Sequence, residues 1–160
     1  MTMTPTVPAP RPTRDRRRRA VPSAALAVVA LSATALLGGC STGDVAARAA
    51  ASQLGRPYVY GGASPRSGFD CSGLTMWAWG VAGKRLPRTA AQQYSATYAV
   101  SASQIRPGDL AFYSMSGRIS HVAMYVGNGT LVQARKPGYP IERQPVGWWA
   151  DHFAGYRRVR

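Results

Sequence analysis

Asp70-Cys71-Ser72-Gly73 stands where a stretch rich in Gly, Pro and Ser gives way to an apolar helical run, Cys71–Val81. A cysteine in the first turn of a helix meets unpaired N–H groups and the positive end of the macrodipole. Both favour thiolate over thiol and lower the pKa, which is how a nucleophilic cysteine is made. The same tetrapeptide also reads as an Asp70 cap followed by a small core cysteine. A thiolate catalyst needs a general base, and the chain has 2 His. His121 heads an alternating run, Ser120–Val126, sharing a face with Ala123 and Tyr125, and a strand holds an imidazole rigidly. His152 falls in Trp148-Trp149-Ala150-Asp151-His152, a connecting segment suited to surface or packing roles, so His121 is taken as the base. Gln133 is the polar side chain of an otherwise apolar strand, Thr130–Ala134, and a candidate to orient the imidazole. A three-residue loop Gly127-Asn128-Gly129, with Gly129 left-handed, would pair Val126 with Thr130 and set Gln133 opposite Ala123, on His121's face. A two-residue Asn128-Gly129 turn would put Gln133 on the other face, so the three-residue loop is expected.

These residues need elements to hold them. Ser41–Asp44 supplies capping groups for a helix over about Asp44–Leu54, ended by Gly55. Arg56–Phe69 reads as a loop, Cys71–Val81 as a second helix, and Thr89 as the cap of a short third helix reaching about Tyr94. After the turn signal Arg106-Pro107-Gly108-Asp109, five short strands follow: Leu110–Ser114, His121–Val126, Thr130–Ala134, Ile141–Arg143 and Phe153–Val159. Helices first and strands after predict an α+β domain, helices packed on an antiparallel sheet.

The chain of 160 residues carries 20 Lys+Arg against 6 Asp+Glu, net +14. Its 46% hydrophobic content excludes a wholly disordered chain, and 2 Cys are too few for a disulfide scaffold. The charge is unevenly placed. Residues 1–39 hold an Arg-rich stretch, Arg11–Arg19, then an apolar run, Ala24–Leu37, then Gly38-Gly39-Cys40. A basic segment, a short apolar run and small residues make an export signal, and the run is too short to span a bilayer comfortably. Leu37-Gly38-Gly39-Cys40 resembles the lipobox of bacterial lipoproteins, which implies that Cys40 is diacylated and becomes the first mature residue. Residues 1–39 then form the signal peptide, 40–44 a lipidated Cys40 with a tether of about four residues (~13 Å extended), and 45–160 the catalytic domain. Residues 1–39 hold six Arg and one Asp, so the remainder keeps +9, suited to anionic wall polymer or lipid headgroups. Its Lys and Arg are scattered and fit no nucleic-acid motif, so no nucleic-acid partner is expected.

Pro57-Tyr58-Val59-Tyr60-Gly61-Gly62 and Phe69-Asp70-Cys71-Ser72-Gly73-Leu74 resemble the start of an NlpC/P60 cysteine peptidase domain. Leu86-Pro87-Arg88-Thr89 with Gln93, Pro107-Gly108-Asp109-Leu110, and His121–Asn128 follow in that family's order. The resemblance implies a papain-like α+β fold and hydrolysis of peptidoglycan stem peptides at the γ-D-glutamyl–diamino-acid bond. It makes Cys71 the nucleophile, His121 the base and Gln133 the third polar residue, a position often occupied by His. It also implies an oxyanion contact from the Tyr58 hydroxyl. Asp70 and Ser72 are implied to recognise the free amino end of the stem peptide, beside their reading as caps. Arg88 is implied to bind substrate carboxylate, beside a purely structural reading. No metal or cofactor is required, and the expected protein is an exported, membrane-anchored monomer in the bacterial envelope. Trp77, Trp79, Trp148 and Trp149 read as core or groove wall sooner than as a glycan platform. Two alternatives stay open: a non-catalytic wall-binding lipoprotein on the same fold, and an amidase or acyltransferase using the same thiol.

Overall fold

The computed structural model describes residues 40–160, and the expected export signal over residues 1–39 lies outside them. Among the described residues, three α-helices precede the main sheet. Helix α1 (Thr42–Ala51) is opened by Ser41, whose Oγ accepts from the Asp44 N–H at 3.2 Å while the Asp44 carboxylate accepts from the Ser41 N–H at 3.0 Å. This capping box starts the helix two residues earlier than expected. Ser41 alone therefore separates Cys40 from the helix, where about four residues were expected. Helix α1 turns a small-residue face, Ala46, Ala47, Ala49 and Ala50, into the core. Helix α2 (Cys71–Val81) is capped by Asp70, and α3 (Ala90–Ala96) by a second capping box between Thr89 and Gln92.

Two strands missed by the sequence reading, β1 (Ala63–Ser64) and β2 (Gly68–Phe69), form a small hairpin inside the Arg56–Phe69 segment. Strands of two residues, Ala-Ser and Gly-Phe, leave no period to read. The main sheet is antiparallel, in the order β3-β8-β4-β5-β6-β7. It comprises β3 (Tyr98–Val100), β4 (Leu110–Met115), β5 (Arg118–Gly127), β6 (Thr130–Gln133), β7 (Glu142–Pro145) and β8 (Phe153–Arg158). The third missed strand, β3, follows α3 almost directly and sits at one edge; β7, at the other, ends in a proline that an edge strand tolerates. The fold is thus the α+β arrangement expected.

Alternation along the strands sends side chains to two layers. Leu110, Phe112, Val122, Met124 and Val132 face the helices and pack with Leu74, Ala78 and Trp79. Ala111, Tyr113, Ala123 and Leu131 form a smaller apolar layer on the opposite face, covered by Tyr125, Trp149 and Tyr156. Each fully buried large side chain of this kind stabilises by about 1.5–3 kcal/mol. The Pro107-Gly108-Asp109 turn locks the layers together. Gly108 has φ +94°, a Cβ there would strike the Gly43 backbone of α1, and its carbonyl accepts from Trp79 Nε1 at 3.2 Å. Asp109, 2% exposed, accepts from the Arg158 guanidinium at 2.8 Å and from the Arg106 N–H at 2.7 Å.

The β5–β6 hairpin corrects the expected loop and keeps its consequence. Asn128 and Gly129 have φ +50° and +66°, a two-residue turn of the primed type, and Gly127 pairs with Thr130. Val126 is then skipped, because the next pairs are Tyr125 with Leu131 and Met124 with Val132. This one-residue bulge, with Gly127 at φ +97°, shifts the register by one. Gln133 is returned to His121's face by the bulge instead of by a longer loop.

Candidate active site

Asp70 and Cys71 join the hairpin loop to α2, and two glycines make the junction close. A Cβ on Gly73 would strike the Gly62 carbonyl, and one on Gly62 would strike the Gly68 backbone. The Gly62 carbonyl also accepts the Asp70 N–H at 3.0 Å. Asp70 Oδ1 takes the Gly73 N–H at 2.7 Å and Arg88 at 2.9 Å, while Oδ2 takes the Gly61 N–H at 3.0 Å and Arg88 at 2.5 Å. Burial opposes ionisation of Asp70, but Arg88 and these N–H groups outweigh it and hold the carboxyl below its ordinary range. Asp70 is thus both helix cap and ion-pair partner, and Arg88 also reaches the Ser72 hydroxyl at 3.2 Å. Gln93, fully buried, fastens α3 to this helix start: its amide nitrogen donates to the Ser72 and Pro87 carbonyls at 2.9 Å, and its Oε1 accepts from Thr75 Oγ1 at 2.7 Å. Gln93 lies within a quoted motif, but nothing in the local pattern signals this bracing role.

Cys71 occupies the first position of α2, half-buried. The expectation of a lowered thiol pKa is not met. Burial pushes the thiol up, as does the negative charge of Asp70, against the Val122 and Ser72 N–H groups and the Ser72 hydroxyl, which pull it down. Helix position alone does not decide thiol acidity where desolvation is this large. Val122 follows His121 directly, so the strand that carries the imidazole runs against the thiol. No hydrogen bond joins Cys71 to His121 among the described residues.

His121 is 6% exposed, and its Nε2–H donates to Gln133 Oε1 at 2.7 Å. That bond leaves Nδ1 as the free lone pair of a neutral ring. Burial lowers the imidazole pKa, helped by the charge of Arg135 and opposed by the Gln133 bond. Tyr113 and Trp149 flank the ring at 5.7 and 6.0 Å between centroids. Burial, and secondarily Tyr156, pushes the Tyr113 hydroxyl to about 12, so it stays neutral beside the imidazole. His152 is absent from this arrangement: its ring packs at a tilt against Trp149, 4.5 Å between centroids, and its Nδ1 meets the Ser114 carbonyl at 3.1 Å.

A cleft of about 420 Å³ is lined by Tyr58, Asp70, Cys71, Ser72, Arg88 and Ser120. Burial raises the Tyr58 pKa, reinforced by the charges of Cys71 and Asp70, which keeps its hydroxyl a donor facing the cleft. Ser120 also borders a second cleft of about 430 Å³, lined by His121, Arg135, Lys136, Trp148 and Trp149. Ser120 had no signal in the sequence beyond preceding His121. Trp77 and Trp79 pack against or within the core, while Trp148 and Trp149 wall the second cleft. Among the described residues, no group of three or more His, Cys, Asp or Glu side chains could hold a metal ion.

The NlpC/P60 family model matches residues 55–158. The chain is 40% identical over 109 residues to the bifunctional muramidase/DL-endopeptidase CwlT of Bacillus subtilis, covering 66% of this chain and 33% of that protein. It is 42% identical over 114 residues to the murein DD-endopeptidase MepH of Escherichia coli, covering 67% and 42%. The match thus spans less than half the length of either curated relative. The solved structure of a protein similar to lipoprotein, of the NLP/P60 family, from Staphylococcus aureus superposes with a TM-score of 0.66 at 40% identity, covering 74% of this chain and 41% of that one. By domain match, sequence identity and fold, the chain belongs to the NlpC/P60 family.

Proposed function

We propose that this protein is an exported peptidoglycan endopeptidase that cuts stem peptides at the γ-D-glutamyl–diamino-acid bond through Cys71 and His121. The observation that carries the reading is the 2.7 Å bond from His121 Nε2–H to Gln133, which leaves Nδ1 unprotonated on the strand beside the thiol. With the thiol raised and the imidazole lowered, the resting pair is neutral, and His121 acts as a general base when substrate arrives.

Sγ of Cys71 attacks the scissile carbonyl carbon as Nδ1 of His121 takes the thiol proton. The carbonyl π-electrons move to oxygen, where the Tyr58 hydroxyl and the Cys71 N–H receive the negative charge. Collapse re-forms the carbonyl and breaks the C–N bond, and the imidazolium returns its proton to the leaving amine. Water, deprotonated by His121, attacks the thioester; Cys71 leaves as thiolate and regains the proton. The cleft holding Asp70, Ser72 and Arg88 takes the amino-terminal side of the substrate. In this reading Asp70 and Ser72 attract the free amine and the partly exposed Arg88 faces a carboxylate. The second cleft, beside His121, receives the leaving segment. Cys40, exposed and one residue before the domain, carries the lipid anchor that follows a signal peptide over residues 1–39.

The test is digestion of defined muropeptides by the full-length chain and by Cys71→Ala, read by mass spectrometry. Cleavage after D-Glu by the first protein and none by the second is expected. Equal products from both would sink the catalytic assignment. Products cut at a D,D cross-link would sink only the bond specificity.

A further inference from the structure

Gln133 is 1% exposed, and its two amide ends are unequally served: Oε1 accepts from His121, while Nε2 is buried without a hydrogen-bond partner among the described residues. The β6–β7 register sets Gln133 directly opposite Glu142. Directly opposed residues leave the same face of a sheet, with Cβ atoms about 5 Å apart. Glu142 Oε1 is also buried and without a hydrogen bond. Arg135 Nε lies 3.0 Å from it, at ion-pair distance, but without hydrogen-bond geometry. One buried acceptor, Glu142 Oε1, and two buried donors, Gln133 Nε2 and Arg135 Nε, are therefore unserved among the described residues, and the first two stand on facing residues beside the imidazole.

We propose that Glu142 is a positioning residue, whose carboxylate accepts the Gln133 Nε2–H and so decides which end of that amide faces His121. This rests on the reading of His121 as the base of Cys71. A glutamine presents an acceptor and a donor of nearly the same shape, and the ring adapts to whichever it meets. With Oε1 towards the ring, Nε2 of His121 carries the proton and Nδ1 keeps the lone pair that takes the thiol proton. With the amide reversed, its N–H would donate to His121 Nε2 and the ring proton would move to Nδ1, leaving no base for Cys71. A carboxylate only accepts, so Glu142 opposite the amide excludes the reversed state. An amide in the third position needs such a neighbour; an aspartate there would not.

The probe is the full-length chain bearing Cys40→Ser, so that Cys71 is its one thiol, with ¹⁵N-labelled histidine. Long-range ¹H–¹⁵N spectra, assigned with His121→Ala, report the His121 tautomer, and iodoacetamide reports Cys71 reactivity. The parent is expected to hold the Nε2–H tautomer. Glu142→Ala, and the isosteric Glu142→Gln, are expected to admit the Nδ1–H tautomer and to slow alkylation about tenfold, the scale of an outer-shell partner of histidine. Glu142→Ala added to Gln133→Ala is expected to change neither readout further. Glu142 variants that keep the Nε2–H tautomer and full reactivity, losing only thermal stability with the Arg135 pair, would overturn the proposal. Alkylation unaffected by His121→Ala would instead overturn the Cys71–His121 reading, and the tautomer would still report on Glu142.

Discussion

Desolvation acts on both partners of the Cys71–His121 pair, pushing the thiol up and the imidazole down, so each favours its neutral form. This sets the sign of a pH profile. With His121 as the proposed base, the acid limb of kcat/KM reports its protonation in the free enzyme, and burial places that limb below the ordinary imidazole value of 6.5. Activity on muropeptides should persist into mildly acidic pH. Arg135 lowers the imidazole pKa and the Gln133 bond raises it, so Arg135→Met should move the limb up and Gln133→Ala should move it down. Initial rates between pH 4 and 9 check this; a limb that rises in Gln133→Ala would refute the assignment of His121. Asp70 and Arg88 show a different economy. Their bond lengths and the glycine contacts around them are those of a helix cap and its brace, so any substrate contact is made by side chains already engaged in structure.

At the scale of elements, the β5–β6 hairpin carries the site's alignment. The bulge at Val126 and a three-residue loop predict opposite results for one deletion. If Val126 paired with Thr130, removing it would slide β6 by one residue and turn Gln133 to the helix side. In the structure Val126 is the unpaired residue, so its deletion leaves Gly127 with Thr130 and Tyr125 with Leu131. The deletion variant should therefore fold, keep the His121–Gln133 bond and digest muropeptides, at a cost of about 1–2 kcal/mol for the lost core contact of Val126. Denaturation midpoints and the histidine tautomer check this, and a folded variant with a displaced tautomer would show that the bulge does not set the register.

For the whole molecule, the placement of Cys40 matters more than its chemistry alone. The helix begins at Thr42, so an acyl chain on Cys40 would leave Ser41 as the only spacer between bilayer and domain. No helix of the described residues is long and apolar enough to cross a membrane. If lipidation is the anchor, Cys40→Ser should shift the protein from the membrane fraction to the soluble fraction, and the intact mass of the parent should carry acyl chains on the residue after Gly39. A Cys40→Ser protein that stays with the membranes, with a parent Cys40 of unmodified mass, would leave the apolar segment at residues 24–37 as the anchor instead. In such an anchored protein the +9 carried by residues 40–160 would add a salt-dependent attraction to anionic wall or lipid, screened within about 8 Å at physiological ionic strength.

Local signals were enough for the order of the helices and of the later strands, and for α2 beginning at Cys71. Capping residues, alternation and glycines act over a few positions and are written in neighbouring letters. The same locality explains β1, β2 and β3, which are too short to carry a period, and the α1 start, where four neighbouring residues offered capping groups and Ser41 is the cap, with Asp44 closing the capping box. The residues proposed for the site could therefore be named from the sequence, but their electrical state could not. Whether a helix N-terminus or burial wins at Cys71 depends on what β5 and the loops lay over the thiol. The face that Gln133 shows to His121 depends on one skipped residue in a hairpin. The facing of Gln133 by Glu142 depends on a register between strands whose connection the sequence does not measure. Desolvation and register are properties of segments brought together, and only the tertiary structure decides them.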